Sequence, residues 1–278
     1  MPELPEVETI RRELNPYVIN RKISKIYIQR PDIIGYPSAD VFKKEVTGKT
    51  ITNLARKAKY LIFELNSDKA MIIHLRLSGQ LLVWNGNKKD APKHERIRFF
   101  LSGKKNLSFV EPRVLGRAYL VEKDNYPDVL GGLKELGLEP IDKKFCFDYL
   151  YSKLKGRKAP IKNLLLDQSI TAGIGNIYSD EALFLAGIHP LTRANKLTLN
   201  DIKKLAITLR QVIKAGIKSK GTSISDYLRP DGKEGGYQFC SYVFDREGEK
   251  CRKCGTLIEF KKIGNRRTRF CPKCQAKK

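Results

Sequence analysis

The chain has 278 residues, 41% of them hydrophobic and 9% aromatic, enough to bury one large core or two ordinary ones and to exclude a wholly disordered protein. Its 54 lysines and arginines against 30 acids leave a formal charge of +24, which favours a polyanionic partner: nucleic acid first, with membrane surfaces and acidic proteins as alternatives. The chain lacks both an apolar run of the ~18 residues a membrane span needs and a basic leader before an apolar stretch, and its six cysteines do not suggest a disulfide framework, so a cytoplasmic location is expected.

The opening "MPELPEVETI" leads into "LPEVETIRREL", which predicts a helix over 4–14: Pro5 suits a first turn and the early glutamates suit the positive end of the dipole. The same residues permit chemistry. If Met1 is removed, Pro2 is a secondary amine with an ordinary pKa of roughly 8, partly neutral near neutral pH. Its adduct with a sugar aldehyde carbon is an iminium that cannot lose its charge at nitrogen, and so acts as an electron sink. Glu3 is adjacent and Glu6 lies three residues on, so both can face the amine and supply an acid or orient water. A capped helix start explains the segment equally well, and the peptide alone does not decide.

From about 22 to 122 the character changes. "KISKIYIQR", "KYLIFEL", "KAMIIHLRL", "QLLVW", "RIRFFL", "NLSFV" and "RAYLV" are β-branched or aromatic runs separated by turn residues, which predicts a sandwich or flattened barrel. "DNYPDVLGGLKELGLEPID", broken by Pro127, Gly131, Gly132, Gly137 and Pro140, is a boundary candidate. The pattern then turns helical. "FDYLYSKLKG" is followed by "APIKNLLLDQ" with Pro160 at a helix start. "TAGIGNIYSDEALFLAGIHP" reads as a glycine turn and a helix that Asn176 caps and Gly187–Pro190 stops, and Thr198 with Asp201 predicts a capping box for the helix after it. Residues 216–236 read as a long glycine-rich loop. The expected organisation is 1–130 (helix and sandwich), a 131–141 linker, 142–236 (helical, with the loop) and 237–278.

The last segment carries the strongest local signal. "CRKC" at 251–254 and "CPKC" at 271–274 are sixteen residues apart, and "GN" between "TLIEFKKI" and "RRTRF" signals a hairpin. Two thiolate pairs on two knuckles close a tetrahedron, so Cys251, Cys254, Cys271 and Cys274 are expected to hold one structural Zn²⁺ with no open position. Residues 250–278 contain eleven lysines or arginines against Glu259 alone, a pattern that suits phosphate contact. Cys146 and Cys240 stand apart and read as small packing residues.

Taken in order, "PELPEVET", "RKAKYL", "HLRLSG", "EPR", "GIGNIYSDEALFLAGIHP", "GTSISDYLRPDGKEGGYQ" and the four-cysteine hairpin resemble formamidopyrimidine-DNA glycosylase, across essentially the whole chain. "PELPE" looks like the oxidised-purine branch, since the related endonuclease VIII branch usually has glycine in place of Leu4. The resemblance implies an α+β, two-domain protein: an N-terminal helix plus β-sandwich, and a C-terminal helical domain with a helix–two-turn–helix element and the zinc-finger hairpin. It implies a monomeric, bifunctional DNA glycosylase/AP lyase of base excision repair, acting on double-stranded DNA in the cytoplasm. Oxidised purines such as 8-oxoguanine and formamidopyrimidines would be its substrates, and the chain would be cut by β,δ-elimination.

Residue by residue, Pro2 would be the Schiff-base nucleophile, Glu3 the acid that helps open the deoxyribose, and Glu6 a supporting carboxylate. Lys59 would assist proton transfer, and Arg269 would grip the lesion's phosphate. Asn176 and the Gly173–Gly175 turn would hold a phosphate, and His94 and Lys158 would touch DNA. Because a base must be flipped out of the stack and its gap filled, Leu77, Arg113 and Leu115 would be the probing wedge. Leu77 and Leu115 depart from the family's methionine and phenylalanine, as do Glu111 from aspartate and Val114 from arginine, so lesion and opposite-base preference are open. The 216–236 loop would cap the flipped base with backbone N–H groups and the Thr222–Ser225 hydroxyls. Two rivals remain: an enzyme of this fold preferring oxidised pyrimidines, and a non-catalytic damaged-DNA binder.

Overall fold

The apolar stripe Val7, Ile10, Leu14 and Val18 recurs at helical spacing, and it forms the buried face of helix α1, Leu4–Val18. The helix runs four residues past the predicted end and through Pro16, because Val18 extends the same buried stripe. The computed structural model describes residues 1–86, 88–124, 130–224 and 226–277. Pro127 and Ser225, singled out above, lie outside them.

Among the described residues of the first 134, nine strands follow α1: β1 Ile23–Ile28, β2 Ile34–Tyr36, β3 Ile51–Lys57, β4 Tyr60–Leu65, β5 Lys69–His74, β6 Gln80–Trp84, β7 Glu95–Leu101, β8 Lys105–Val110 and β9 Arg117–Glu122. They form a four-stranded sheet, β1-β7-β8-β6, and a five-stranded sheet, β2-β9-β5-β4-β3. All pairs are antiparallel except β2 with β9. Alternate residues of both sheets (Ile97, Phe99 and Phe109 from one; Leu61, Phe63 and Ile73 from the other) join the α1 stripe in one core, the inward period expected of a sandwich.

Strands β2 and β3 and one helix were not among the predicted elements. Helix α2, Ala39–Val46, starts at Ser38, whose hydroxyl accepts the Val41 N–H, and buries Phe42 and Val46. The cap and the i, i+4 apolar pair were its signal in the sequence.

The chain divides into two compact units, Met1–Lys134 with Lys220–Gly235, and Glu135–Ser219 with Gly236–Lys278. This differs from the expected boundaries in two places. Residues 135–141 are no hanging linker: the Gly137 N–H donates to Gln168 O, Leu138 N–H donates to Tyr149 Oη, and a Cβ at 137 would stand 2.5 Å from Ser169 O. Residues 220–235 belong with the sandwich, whose core includes Tyr227. The loop also starts later than expected, because Gly216 is helical. It lies in the last long helix, where a Cβ would stand 2.6 Å from the buried Tyr178 ring.

The second unit contains α4 Phe147–Leu154, α5 Ile161–Leu166, α6 Asn176–Ala186 and α7 Leu199–Lys218, after a short α3, Gly131–Lys134, that belongs to the first. Thr198 and Asp201 form the predicted capping box of α7, and Gly187 ends α6 in the left-handed conformation. The hairpin pairs β10, Glu259–Ile263, with β11, Arg266–Phe270. Cys146 and Cys240, expected to pack inside, are exposed; Cys146 occupies the N-cap position of α4. No helix among the described residues is long and apolar enough to cross a membrane.

Candidate active site and nucleic-acid interface

Pro2, Glu3 and Glu6 are brought together at the buried start of α1. The Glu3 N–H donates to Glu6 Oε2 at 2.8 Å, and Glu6 Oε1 accepts the Thr222 N–H at 2.8 Å. One carboxylate therefore joins the Glu3 backbone to the glycine-rich segment. Gly221 is required there: its φ is 82°, and a Cβ would press within 2.9 Å of Glu6 Cγ. With Met1 attached the Pro2 nitrogen is an amide, so amine chemistry at this position requires removal of Met1.

Lys59 sits in the two-residue turn between β3 and β4, after Ala58 at φ 50°, and only 7% of it is exposed. A chain of contacts ties this turn to α1. Glu8 accepts Arg11, Arg12 and Arg56, and Arg56 Nη1 donates to Ala58 O at 3.0 Å. Burial alone would raise the Glu8 carboxyl, but hydrogen bonds from the three guanidiniums outweigh it and hold the pKa down at about 2. His74, stacked on Tyr60, is pushed down to about 3, by burial first and then by the charges of Arg76 and Lys59. Glu8 was read in the sequence only as a dipole-matching acid; its i+3 and i+4 arginines were the signal, whereas Arg56 is 48 residues away.

The candidate wedge residues are presented outward. Leu77, between β5 and β6, is 37% exposed, and Leu115, between β8 and β9, is 43% exposed, which removes the alternative that they pack in the sandwich. Arg113 is half-exposed and donates to Asp226 Oδ2 at 2.8 Å. His94 is exposed, with φ 63°. Val114 has φ 55°, a strained value for a β-branched residue.

In the second unit, Gly175 rather than Asn176 is the N-cap of α6, which corrects the expected helix cap. Asn176 is the first helical residue, and its amide donates to Arg267 O at 2.9 Å, fastening the helix start to the hairpin. Beneath it lies a fully buried ion pair. Lys162 Nζ donates to Asn176 O, Ser179 Oγ and Asp180 Oδ1, and Asp180 Oδ2 accepts the Arg269 N–H at 3.0 Å. Burial pushes the Asp180 carboxyl up against the pull of Lys162. Neither residue was singled out in the sequence, although a lysine inside the apolar "APIKNLLL" is the kind of signal that marks a paired buried charge.

Arg269 is placed differently from its expected role. It is largely buried; Nε donates to Glu247 Oε2 at 2.8 Å, Nη2 lies 3.4 Å from Asp245, and the guanidinium stacks on Phe244. Arg266, at the hairpin turn, is exposed and among the described residues has no ion-pair partner. Lys158 is also exposed, in the segment between α4 and α5.

The four cysteines of the two knuckles lie with their sulfurs within 4.8 Å of one another, at 4.0 Å for Cys251–Cys274 and 3.5 Å for Cys254–Cys271. A tetrahedron with Zn–S of about 2.3 Å has sulfurs about 3.8 Å apart, so the donor set fits one zinc ion. The N–H groups of Lys253 and Cys274 point at Cys251 and Cys271 sulfurs, as thiolate ligands require.

Three family models match in chain order: the formamidopyrimidine-DNA glycosylase N-terminal domain over 1–118, its H2TH domain over 136–227, and the zinc finger found in FPG and IleRS over 248–277. The chain is 40% identical over 285 residues to a formamidopyrimidine-DNA glycosylase of Synechocystis, covering 100% of this chain and 99% of the relative. It is 41% identical over 278 residues to that of Ligilactobacillus salivarius, with full coverage of both. Among solved structures it resembles the MutM (Fpg) protein of Thermus thermophilus, with TM-score 0.89, 35% identity and 100% of each chain covered. A Lactococcus lactis Fpg mutant in complex with DNA containing Fapy-dG gives TM-score 0.92 and 37% identity, covering 99% of this chain and 100% of that one. The wild-type Lactococcus lactis protein, in complex with DNA containing an oxidised pyrimidine, gives 0.91 and 36% with the same coverage.

Proposed function

The chain belongs to the formamidopyrimidine-DNA glycosylase family, a DNA glycosylase family of oxidised-base repair, and on that premise we propose that it is a bifunctional glycosylase/AP lyase whose nucleophile is Pro2. The observation that carries this reading is the buried Pro2–Glu3–Glu6 start of α1, with Glu6 linking the Glu3 and Thr222 N–H groups. A plain helix start has no need to bury two carboxylates there.

After removal of Met1, the Pro2 amine attacks C1′ of the flipped nucleotide. The C1′–N bond breaks with protonation of the departing base, and Glu3 protonates the ring oxygen as the sugar opens to the iminium. Loss of a C2′ proton then expels the 3′ phosphate, and a second elimination expels the 5′ phosphate. Water hydrolyses the remaining imine and returns the amine. Lys59, held in its turn by Ala58 O and Arg56, is assigned to proton transfer during these eliminations.

Leu77, Arg113 and Leu115 fill the gap left by the flipped base, with His94, Lys158 and Asn176 on the backbone. We reassign the phosphate grip from Arg269 to Arg266, because the Arg269 guanidinium is held by Glu247 and Asp245 whereas Arg266 is exposed at the hairpin turn. Zinc, when bound, fixes the two knuckles that carry this hairpin. The working form is taken to be a cytoplasmic monomer on damaged duplex DNA.

The test is borohydride trapping on a duplex with 8-oxoguanine opposite cytosine, followed by peptide mapping. A crosslink at Pro2 is expected. Exposed Leu77 and Leu115, and the relative solved with oxidised-pyrimidine DNA, favour a second substrate class, so the same assay is run on an oxidised pyrimidine. Tight binding without trapping on either lesion class would leave the non-catalytic binder.

A further inference from the structure

Glu111 lies just past the end of β8 and is 0% exposed, although the chemistry proposed above gives it no role. Its carboxylate accepts three hydrogen bonds from two separate loops. Ser78 Oγ donates to Oε1, the Arg113 N–H donates to Oε1 at 3.1 Å, and the Gly116 N–H donates to Oε2 at 2.9 Å. Its backbone is engaged as well: its N–H donates to His94 O at 3.0 Å, and its carbonyl accepts Arg96 Nε at 2.9 Å.

Four of these five contacts land on, or next to, a residue assigned above to the wedge or the backbone; Arg96 is the exception. Ser78 follows Leu77, Gly116 follows Leu115, and Arg113 and His94 are bonded directly. Both loops are also closely packed at a glycine. A Cβ on Gly116 would meet Phe109 Cζ at 2.6 Å and Glu111 Oε2 at 2.8 Å, and one on Gly79 would meet Leu75 O at 2.6 Å and Phe109 at 3.0 Å. Between the bonded positions 113 and 116 sits Val114, whose left-handed backbone persists only where its flanks are fixed.

We propose that Glu111 is the positioning residue of the DNA probe: one buried carboxylate sets the spacing between the Leu77 loop and the Arg113–Leu115 loop, so that the three side chains enter the duplex as a unit. The proposal rests on the wedge assignment made above. A buried acceptor shared by three donors is rigid, since moving either loop leaves a donor or an oxygen without its partner. Truncating the side chain to alanine removes the acceptor that both loops share. Converting it to the amide keeps the length but turns an NH₂ toward N–H donors.

The experiment uses the zinc-loaded protein with Glu111→Ala, Glu111→Gln and the milder Ser78→Ala, whose folding is checked by thermal melting. The probe is a duplex with a tetrahydrofuran abasic site and 2-aminopurine beside it, whose fluorescence reports unstacking whether or not chemistry follows. The parent is expected to raise the fluorescence, and the folded variants to reduce that rise by tenfold or more while binding within about threefold.

Borohydride trapping is then compared on a lesion in full duplex and on one opposite a gap, where the stack is already broken. A loss of at least tenfold confined to the full duplex is expected. Equal loss on both substrates, or no loss on either, would overturn the positioning role. If the parent traps on no lesion, the catalytic reading fails, and the fluorescence comparison still decides the role of Glu111.

Discussion

The sandwich and the zinc hairpin hold functional residues in place by opposite means. In the sandwich, a large apolar core sets the strands, and buried carboxylates shape the loops: Glu6 at the glycine-rich segment, Glu8 at the Lys59 turn, Glu111 at the loops that carry Ser78 and Arg113–Gly116. In the hairpin, four consecutive residues of β10 are exposed, and the local core is small: Phe184, Val243, Ile258 and two of the cysteines. So little apolar burial cannot order a strand pair by itself, and the thiolate site supplies the missing constraint. In each region, rigidity comes from whichever buried polar contact the local core size permits.

Breaking the chemistry on the sandwich side should give the largest effect. Pro2→Gly, or retention of Met1, is expected to lower excision by about 10³-fold or more, as loss of a nucleophile does, while duplex binding changes little. Quantitative trapping alongside fluorescence anisotropy checks this, and parallel losses would count against Pro2. On the hairpin side, Cys271→Ser or chelation is expected to release zinc and weaken duplex binding by roughly 10–100-fold, with the sandwich still folded. Binding that survives metal loss would mean the hairpin is not a clamp.

The buried carboxylates can be probed by stability. Glu8→Gln removes the buried carboxylate to which Arg56 donates and should cost about 3 kcal/mol in urea unfolding of the first unit, with no change in zinc content. Acid should act on the same unit. The folded pKa of Glu8 is lowered from 4.5 to about 2, so its contribution is complete above pH 4.5 and fades as pH falls toward 2. His74 is lowered from 6.5 to about 3, so the unfolded chain takes up its proton first and stability falls between those values. A melting temperature of the first unit that stays flat from about pH 7 to 3 would contradict both. The smallest expected effect separates two arginines: Arg266→Ala should reduce the salt slope of binding by about 1, whereas Arg269→Ala should instead loosen the hairpin and leave the slope.

Much of this molecule is written locally. The α1 stripe, seven of the nine sandwich strands, the Thr198–Asp201 box and the paired cysteine knuckles are patterns within about twenty residues, and each formed as its spacing predicts. Such features depend on backbone periodicity and on short-range hydrogen bonds, which a sequence states directly. The tertiary structure alone decided the rest. Thr222 meets Glu6 across 216 residues, and that contact places the glycine-rich segment with the sandwich. Arg269 is claimed by Glu247 and Asp245, and Glu111 gathers donors from two loops. A buried charge takes whatever partners the packed fold brings within reach, and no period along the chain encodes which ones those are.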